Sequence, residues 1–282
     1  MTIWRRIELR KLFSKIIIYV CVSVLAVFSS FPVYWMVATS LKPVEDVYRV
    51  PPLWIPDQLS TVHYKRVIFD SLFSQWFINS LIIATVATIL SIIIGILAAY
   101  AFIRFRFFTK KILFGLVTLS RVLPRAVIII PLFIITNQVR LVDTHVGLIF
   151  SYLAITVPLS VWLLSGFLRS VPKELEEAAM IDGCNRLQAL YRVVVPICKP
   201  AIVAVAAISF RMAWNEFFLG LVLSRTNARP LSVGLTFYEI EEIADYGAIM
   251  AASTLMVIPV LFIFIITQKY LLKGLGEGAL KG

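Results

Sequence analysis

This sequence has few charged residues, few cysteines and few histidines, and each shortage excludes a class of protein. Of its 282 residues only 15% are charged, whereas 60% are hydrophobic and the mean hydropathy is +0.91. Such a chain cannot cover a water-facing surface, so we predict an all-α polytopic membrane protein. The three cysteines (Cys21, Cys184 and Cys198) and two histidines lack metal-ligand or redox spacing, so neither a disulfide nor a metal site is expected.

Further absences concern catalysis and nucleic-acid binding. The sequence contains no GxxxxGK[S/T] loop to hold a nucleotide phosphate and no Ser/His/Asp or paired-carboxylate constellation. The net charge of +11 comes from basic residues in short loops beside apolar runs, and no basic stripe with interleaved aromatics is present. We therefore expect no catalytic residue and no nucleic-acid partner. A membrane enzyme is the class that these absences exclude.

What the sequence does have is six apolar segments, each long enough to cross a bilayer core at about 1.5 Å per helical residue. The expected spans are 16–38, 76–102, 112–135, 147–168, 201–223 and 246–268. The basic residues of segment 1–15 and of the loop from Arg104 to Lys111 place both on the cytoplasmic side, and the longer loops of mixed charge are expected outside. We predict six transmembrane helices with both termini cytoplasmic, and residues 16–282 as a single transmembrane domain.

The first apolar run could instead belong to a cleaved signal peptide. It is longer than the usual signal-peptide core, and no A-x-A-like cleavage site follows it. We expect it to remain as the first span.

The longest strongly polar stretch in the second half of the chain, residues 169–199, is expected on the cytoplasmic side. Pro172 suits a first helical position, and Glu174, Glu176 and Glu177 would complement the dipole of the helix that follows. The apolar face of that helix is predicted from Leu175, Ala178 and Ala179.

A second short helix is predicted after a hinge. Gly183 suits the left-handed end of the first helix, and Asn185 with Gln188 form a capping pair for the second. The second helix is expected to end at Pro196 and to carry one apolar stripe, formed by Leu187, Leu190, Tyr191 and Val194. A bent amphipathic pair between two spans predicts a docking surface. The alternative is a loop lying on lipid headgroups, against which its glutamates argue.

Polar side chains within the expected spans are candidates for a translocation pathway, because charges are costly in lipid and should face a cavity or a partner. These candidates are Arg121, Arg125, Arg211, Trp214, Asn215 and Glu216. A structural contact between helices is the alternative for the last four, and Arg211 could pair with a carboxylate. For Arg125 the alternatives are snorkelling or an ion pair with a partner subunit.

The polar stretch also resembles the "EAA" coupling loop of ABC-importer permeases. The residues from Pro172 to Gly183 read Pro-x-Glu-Leu-x-Glu-Ala-Ala-x-x-Asp-Gly, and Pro196 and Pro200 follow. Trp214-Asn-Glu-Phe217 and the tail Gly276-x-Gly-Ala-x-Lys-Gly282 are similar to the same family. Nearly the whole chain is thus similar to the smaller permease of a maltose-type (MalG-like) carbohydrate ABC importer.

The resemblance implies a type I ABC-importer permease fold and a function in moving a sugar or sugar derivative into a bacterial or archaeal cell across its inner membrane. It implies three kinds of protein partner: a second, homologous permease, two ATPase subunits that bind ATP and Mg²⁺, and an extracytoplasmic solute-binding protein. No cofactor is expected on this chain itself. The residues that the resemblance assigns to ATPase coupling are Glu174, Glu176, Glu177, Ala178, Ala179, Asp182, Gly183, Leu187 and Tyr191.

Alternatives concern the substrate and the energy source. Arg125 and Arg211 depart from the family pattern, and bidentate arginine contacts would favour an acidic sugar. An ABC permease for a non-carbohydrate solute is a second possibility. An ATP-independent secondary transporter is a third, although the sequence shows no chain of intramembrane acids for an ion relay.

Overall fold

The computed structural model describes residues 2–69, 71–239 and 245–279, with side chains at 13–69, 72–238 and 245–270. These residues form helices and contain no strand. The α-helices are α1 (Thr2–Ser40), α2 (Val44–Val47), α3 (Val62–Phe69), α4 (Ser71–Arg104), α5 (Lys110–Leu119), α6 (Arg125–Gln138), α7 (His145–Ser170), α8 (Lys173–Ile181), α9 (Arg186–Ala189), α10 (Val195–Ile197), α11 (Lys199–Trp214), α12 (Phe218–Leu223), α13 (Leu231–Gly234) and α14 (Tyr246–Ala279). A π-helical segment covers Leu190–Val194 and a 3₁₀ segment covers Leu235–Glu239.

Within the described ranges, four helical segments are long and apolar enough to cross a membrane. They are Phe13–Ser40, Leu72–Arg104, His145–Ser170 and Tyr246–Tyr270, which correspond to the first, second, fourth and sixth predicted spans. A fifth candidate is the pair Arg186–Ile197 and Lys199–Trp214, which is bent by 80°. The prediction of an all-α polytopic membrane fold is confirmed.

The third predicted span, 112–135, is two helices rather than one. α5 ends at Leu119 and α6 begins at Arg125, directly after Pro124. A proline disfavours helical geometry in the residue before it, so Leu123 cannot easily continue α5 into α6. Hydropathy alone does not show this interruption, because both helices are apolar.

The fifth predicted span, 201–223, is interrupted as well. α11 ends at Trp214 and α12 begins at Phe218. The break contains Glu216, whose side chain accepts a hydrogen bond from the backbone N–H of Leu219. This bond satisfies one of the donors that a helix start leaves unpaired.

The chain divides into two compact units. The first unit comprises residues 1–70 and 238–255. Within it Trp54 packs against Phe31 and Trp35 of α1, and the carbonyl of Trp54 accepts a hydrogen bond from Tyr34. Asp245 caps the first turn of α14 through the backbone N–H of Ala248.

The second unit comprises residues 71–237 and 256–282, and α4, α7 and α11 form its centre. A buried chain of hydroxyls joins these helices: Ser91 to Ser160 at 2.7 Å, and Ser160 to Ser209 at 3.2 Å. The adjoining apolar cluster includes Ile96, Ala99, Leu164, Leu168, Leu190, Val194 and Val205. The core of this unit therefore extends directly into the π-helical segment.

Two sequence predictions concern residues that the structure describes only in part. The loop between the fifth and sixth predicted spans, one of those expected outside, includes Glu241 and Glu242, and both lie outside the described residues. The same holds for residues 280–282 at the end of the family-like tail.

Candidate functional site

The first candidate site is residues 169–199, the segment predicted to couple transport to an ATPase, which we call the coupling segment. Its first helix, α8, begins one residue later than predicted, so Pro172 occupies the N-cap. Gly183 has φ +93°, a left-handed conformation that favours glycine, as predicted. Asn185 and Gln188 form both bonds of a capping box at 2.8 Å, which starts α9. The predicted pair of helices with a hinge is confirmed.

The second helix of the pair differs from its prediction in two ways. It does not end at Pro196, because α9 passes through π-helical Leu190–Val194 into α10. The proline ring clashes with the carbonyl four residues earlier in a regular α-helix, and the wider π turn relieves this clash. The predicted stripe also divides: Leu190 and Val194 are buried, whereas Leu187 and Tyr191 are 60% and 51% exposed.

The surface of α8 and its hinge combines acidic and apolar side chains. Glu174, Glu177 and Asp182 are exposed. Leu175 and Ile181 are also exposed, Ile181 to 85% of its area. Of the predicted apolar face, Leu175 and Ala178 are exposed and Ala179 is half-buried, so most of this face is left unpacked by the described residues, as are Leu187 and Tyr191.

Glu176 points the other way and is only 4% exposed. Its carboxylate accepts a hydrogen bond from Tyr100 Oη at 2.9 Å and forms a buried ion pair with Arg104. Arg104 also donates to the carbonyl of Val171 at 2.8 Å. We call Tyr100, Arg104 and Glu176 the buried triad. Sequence reasoning missed it, because Arg104 was interpreted as a topology signal and its partner lies 72 positions away.

The second candidate site surrounds the break between α11 and α12. Arg125 Nη1 donates to Glu216 Oε2 at 2.7 Å, and the Glu216 side chain is fully buried. The backbone carbonyl of Glu216 accepts hydrogen bonds from Tyr152 Oη at 3.2 Å and from Ser232 Oγ at 2.8 Å. The sequence analysis did not identify Tyr152 or Ser232. A tyrosine in an apolar span, such as Tyr152, and a serine in the connection between two spans, such as Ser232, give no signal of their own.

Among the described residues, none of the other predicted pathway residues bonds to Arg125 or Glu216 through its side chain. Arg121 lies over the ring of Trp162, with its guanidinium carbon 4.0 Å from the ring centroid. Trp214 is 1% exposed, stacks on Phe210 and donates to the carbonyl of Met256 at 3.1 Å. Arg211 and Asn215 are exposed, and within the described residues Arg211 forms no ion pair. A pathway role for this set stays a prediction.

Asp143 joins the loop before α7 to the loop after α12. Its carboxylate accepts hydrogen bonds from four consecutive backbone N–H groups, those of residues 225–228, at 2.8–3.2 Å. Burial alone would raise the pKa of Asp143, but these four donors outweigh it and lower the pKa from 3.8 to about 2. Nearby, Asn79 on α4 donates to the carbonyls of Asn227 and Arg229, and its amide oxygen is 2.7 Å from His145 Nε2.

The described part of the chain contains no group of three or more His, Cys, Asp or Glu residues that could hold a metal ion. The polar groups that do gather form ion pairs and hydrogen bonds between helices. Their arrangement suits the positioning of helices.

Comparisons with known proteins identify the family to which the chain belongs. Residues 91–276 match the family described as "Binding-protein-dependent transport system inner membrane component". The chain is 34% identical to the diacetylchitobiose uptake system permease protein DasC of Streptomyces coelicolor, over 97% of this chain and 99% of that protein. It is 32% identical to the trehalose/maltose transport system permease protein MalG of Thermococcus litoralis, over 95% and 97% of the two chains.

A solved structure shares the fold. It is a bacterial ABC transporter involved in the import of the acidic polysaccharide alginate, with a TM-score of 0.79 at 22% identity over 92% of this chain and 96% of that one. These findings confirm the resemblance to carbohydrate ABC importer permeases and the type I permease fold. The chain belongs to the family of inner membrane components of binding-protein-dependent transport systems.

Proposed function

We propose that this chain is the permease subunit of an ABC importer that moves a sugar or sugar derivative into the cytoplasm of a bacterial or archaeal cell. ATP and Mg²⁺ would be bound and used by two separate ATPase subunits. A second, homologous permease would complete the pathway, and an extracytoplasmic binding protein would deliver the sugar. Both termini and the coupling segment would lie on the cytoplasmic side.

The observation that carries the proposal is the outward face of the coupling segment. Large apolar side chains (Leu175, Ile181, Leu187 and Tyr191) are exposed next to Glu174, Glu177 and Asp182. An exposed apolar patch on a polar segment marks an interaction site. Its rim carries both signs of charge, because Lys173, Arg186 and Arg192 are exposed beside these acids, and such a mixed rim suits ion pairs with a protein partner. The capping box and the left-handed Gly183 fix the shape of this face, as a docking surface requires.

A sugar is the substrate class that the relatives favour. Two relatives are named for diacetylchitobiose and for trehalose and maltose. A third, at 33% identity, is the sulfoquinovosyl glycerol transport system permease protein SmoH of Agrobacterium fabrum. The first two names describe neutral sugars and the third a sulfonated one, so the charge of this chain's substrate is open to experiment.

An acidic sugar is the second candidate, and the exposed Arg211 is the observation that favours it. Arg125 is neutralised by Glu216 and is therefore less available to an anion. An Arg211→Gln variant should then lose uptake of a uronate or sulfonated sugar while uptake of a neutral disaccharide is unchanged. Equal uptake of the acidic sugar by the wild type and by Arg211→Gln would exclude a role for Arg211 in binding an acidic sugar.

The test of the importer assignment is purification of the tagged chain from its native membrane, with mass spectrometry of whatever is retained. We expect a second permease and an ATPase carrying GxxxxGK[S/T]. The ATPase should be lost with Ile181→Glu, because the face that contains Ile181 is the one proposed to bind it. The matched control is Leu59→Glu, the same change at a residue that is 76% exposed and outside the coupling segment.

Reconstitution of the purified complex completes the test. Uptake into proteoliposomes should require ATP. Uptake by the chain alone without ATP would overturn the importer assignment in favour of a secondary transporter, and ATP-dependent uptake of an amino acid or peptide would overturn the sugar assignment.

A further inference from the structure

The buried triad lies on the inner side of the segment whose outer side forms the proposed docking face. The exposed Glu174 and Glu177 of α8 flank this inward-pointing Glu176. Arg104 is the last residue of α4, and both side chains of the ion pair are 5% exposed. One guanidinium thus holds a carboxylate on α8 and the carbonyl of Val171, directly after α7.

A buried ion pair resists displacement more than an apolar contact does. Apolar surfaces attract each other without direction, so packed side chains can slide. A buried guanidinium that loses its carboxylate leaves an uncompensated charge, which is strongly unfavourable. A displacement of α8 should therefore move the Arg104 end of α4 with it.

α4 is suited to carry such a displacement along its whole length. It is one continuous helix of 34 residues and contains no proline, whereas α1, α7 and α14 each contain one. From Arg104 to Asn79 it extends about 38 Å at 1.5 Å per residue. Asn79, inside the other half of α4, donates to the carbonyls of Asn227 and Arg229, in the loop that Asp143 also holds.

We propose that the ion pair between Arg104 and Glu176, supported by Tyr100, transmits the displacement of the coupling segment to α4 and, through Asn79, to the loop of residues 225–229. This inference rests on the proposed function and adds positioning residues to it. Glu177, Ile181 and Leu187 would bind the ATPase, whereas Glu176 and Arg104 would link that binding to movement of the spans.

The test measures ATP hydrolysis and sugar uptake by the same reconstituted complex, with all partner subunits present. Glu176→Gln should assemble with the ATPase and hydrolyse ATP but lower the uptake per ATP by about tenfold or more, because the charge of the link is lost. The charge exchange Arg104→Glu with Glu176→Arg should restore much of this ratio. The control is Glu45→Gln, the same change at an exposed residue of the first unit. Its uptake per ATP should equal that of the wild type.

The outcomes separate this inference from the function on which it rests. Wild-type uptake without ATP would overturn the proposed function itself. If wild-type uptake requires ATP but Glu176→Gln has the same uptake per ATP as the wild type, only the inference is overturned. The inference is also overturned if Glu176→Gln loses uptake and ATP hydrolysis to the same extent. If Glu176→Gln fails to assemble, Tyr100→Phe retains the ion pair and removes one hydrogen bond. Its ratio should fall about twofold to fivefold, and an unchanged ratio there would also overturn the inference.

Discussion

Arg125 and Glu216 form an ion pair, with 2.7 Å between Nη1 and Oε2, that joins the first turn of α6 to the break between α11 and α12. Glu216 is fully buried, whereas the Arg125 side chain is 48% exposed. The pair therefore depends on Arg125 to compensate a buried charge. It also joins the two predicted spans that are interrupted in the structure.

Removing Arg125 should destabilise the protein. In Arg125→Ala the carboxylate of Glu216 loses its counter-ion, which we expect to cost about 3 kcal/mol, the low end for a broken buried pair because Arg125 is half-exposed. Thermal unfolding of the detergent-solubilised complex measures the change. Arg211→Ala, which removes an exposed arginine with no ion pair among the described residues, is the control and should shift the midpoint little.

The double variant Arg125→Ala with Glu216→Gln separates the ion pair from the bulk of the arginine. It should be more stable than Arg125→Ala alone, because the buried charge is absent. Equal midpoints for the single and double variants would show that the pair does not stabilise the break.

The carboxylate of Asp143 should make stability depend on pH in the acid range. Its pKa is lowered from 3.8 to about 2, so the folded state favours the charged form. Its contribution is fully present above pH 3.8 and is lost as the pH falls toward 2. We expect Asp143→Asn to cost about 1–2 kcal/mol at neutral pH, because the amide nitrogen cannot accept a hydrogen bond.

The check is the unfolding midpoint of wild type and Asp143→Asn as a function of pH. The two should differ at pH 6 and converge as the pH falls below 3.8. A difference that stays constant over this range would mean that the charge of Asp143 plays no part. Asp57→Asn, in the first unit, is the matched control for the substitution itself.

Local signals in the sequence predicted local structure well. A glycine four residues after the Ala178-Ala179 pair indicates the hinge at Gly183, and an Asn with a Gln three positions later indicates the capping box at Asn185. Both features are formed within a few residues, so the local sequence is sufficient to predict them. The apolar segments were predicted for the same reason. Whether an apolar segment is one helix depends on single residues such as Pro124, which a hydropathy average does not show.

Partners distant in sequence were not predicted. Glu176 and Glu177 are neighbours with the same chemistry, yet one is buried and the other exposed, because Arg104 and Tyr100 meet only Glu176 in the folded chain. Arg125 and Glu216 were both candidates, but their pairing requires α6 and the α11–α12 break to be adjacent. Only the fold establishes such contacts.

The left-handed conformation of Gly183 provides a prediction about the coupling segment. Gly183→Ala adds a Cβ that meets no neighbour within 4 Å, so its effect is conformational alone. At φ +93° an alanine should cost about 1–2 kcal/mol. We expect weaker retention of the ATPase and a lower unfolding midpoint.

Gly115→Ala is the matched control for this change. Gly115 lies inside α5, and a Cβ there also meets nothing within 4 Å. Because alanine is the better helix former, Gly115→Ala should be neutral or stabilise by up to about 1 kcal/mol. If the two substitutions had the same effect, the conformation at Gly183 would not be what the coupling segment requires.

Close packing of α4 on α7 at Gly95 leads to the last prediction. A Cβ built at Gly95 would lie 2.7 Å from the Cβ of Ser160. Gly95→Ala must therefore push the helices apart where Ser160 bonds to Ser91 and Ser209, at a cost of about 1–3 kcal/mol. Gly166→Ala, on the exposed side of α7 with nothing within 4 Å, should be tolerated. The unfolding midpoints of Gly95→Ala and Gly166→Ala measure these effects. The double variant Gly95→Ala with Ser160→Ala then shows whether the hydroxyl chain or the spacing of the helix backbones causes the loss of stability. Because the clash is with Cβ, which Ser160→Ala retains, we expect the added substitution not to restore stability.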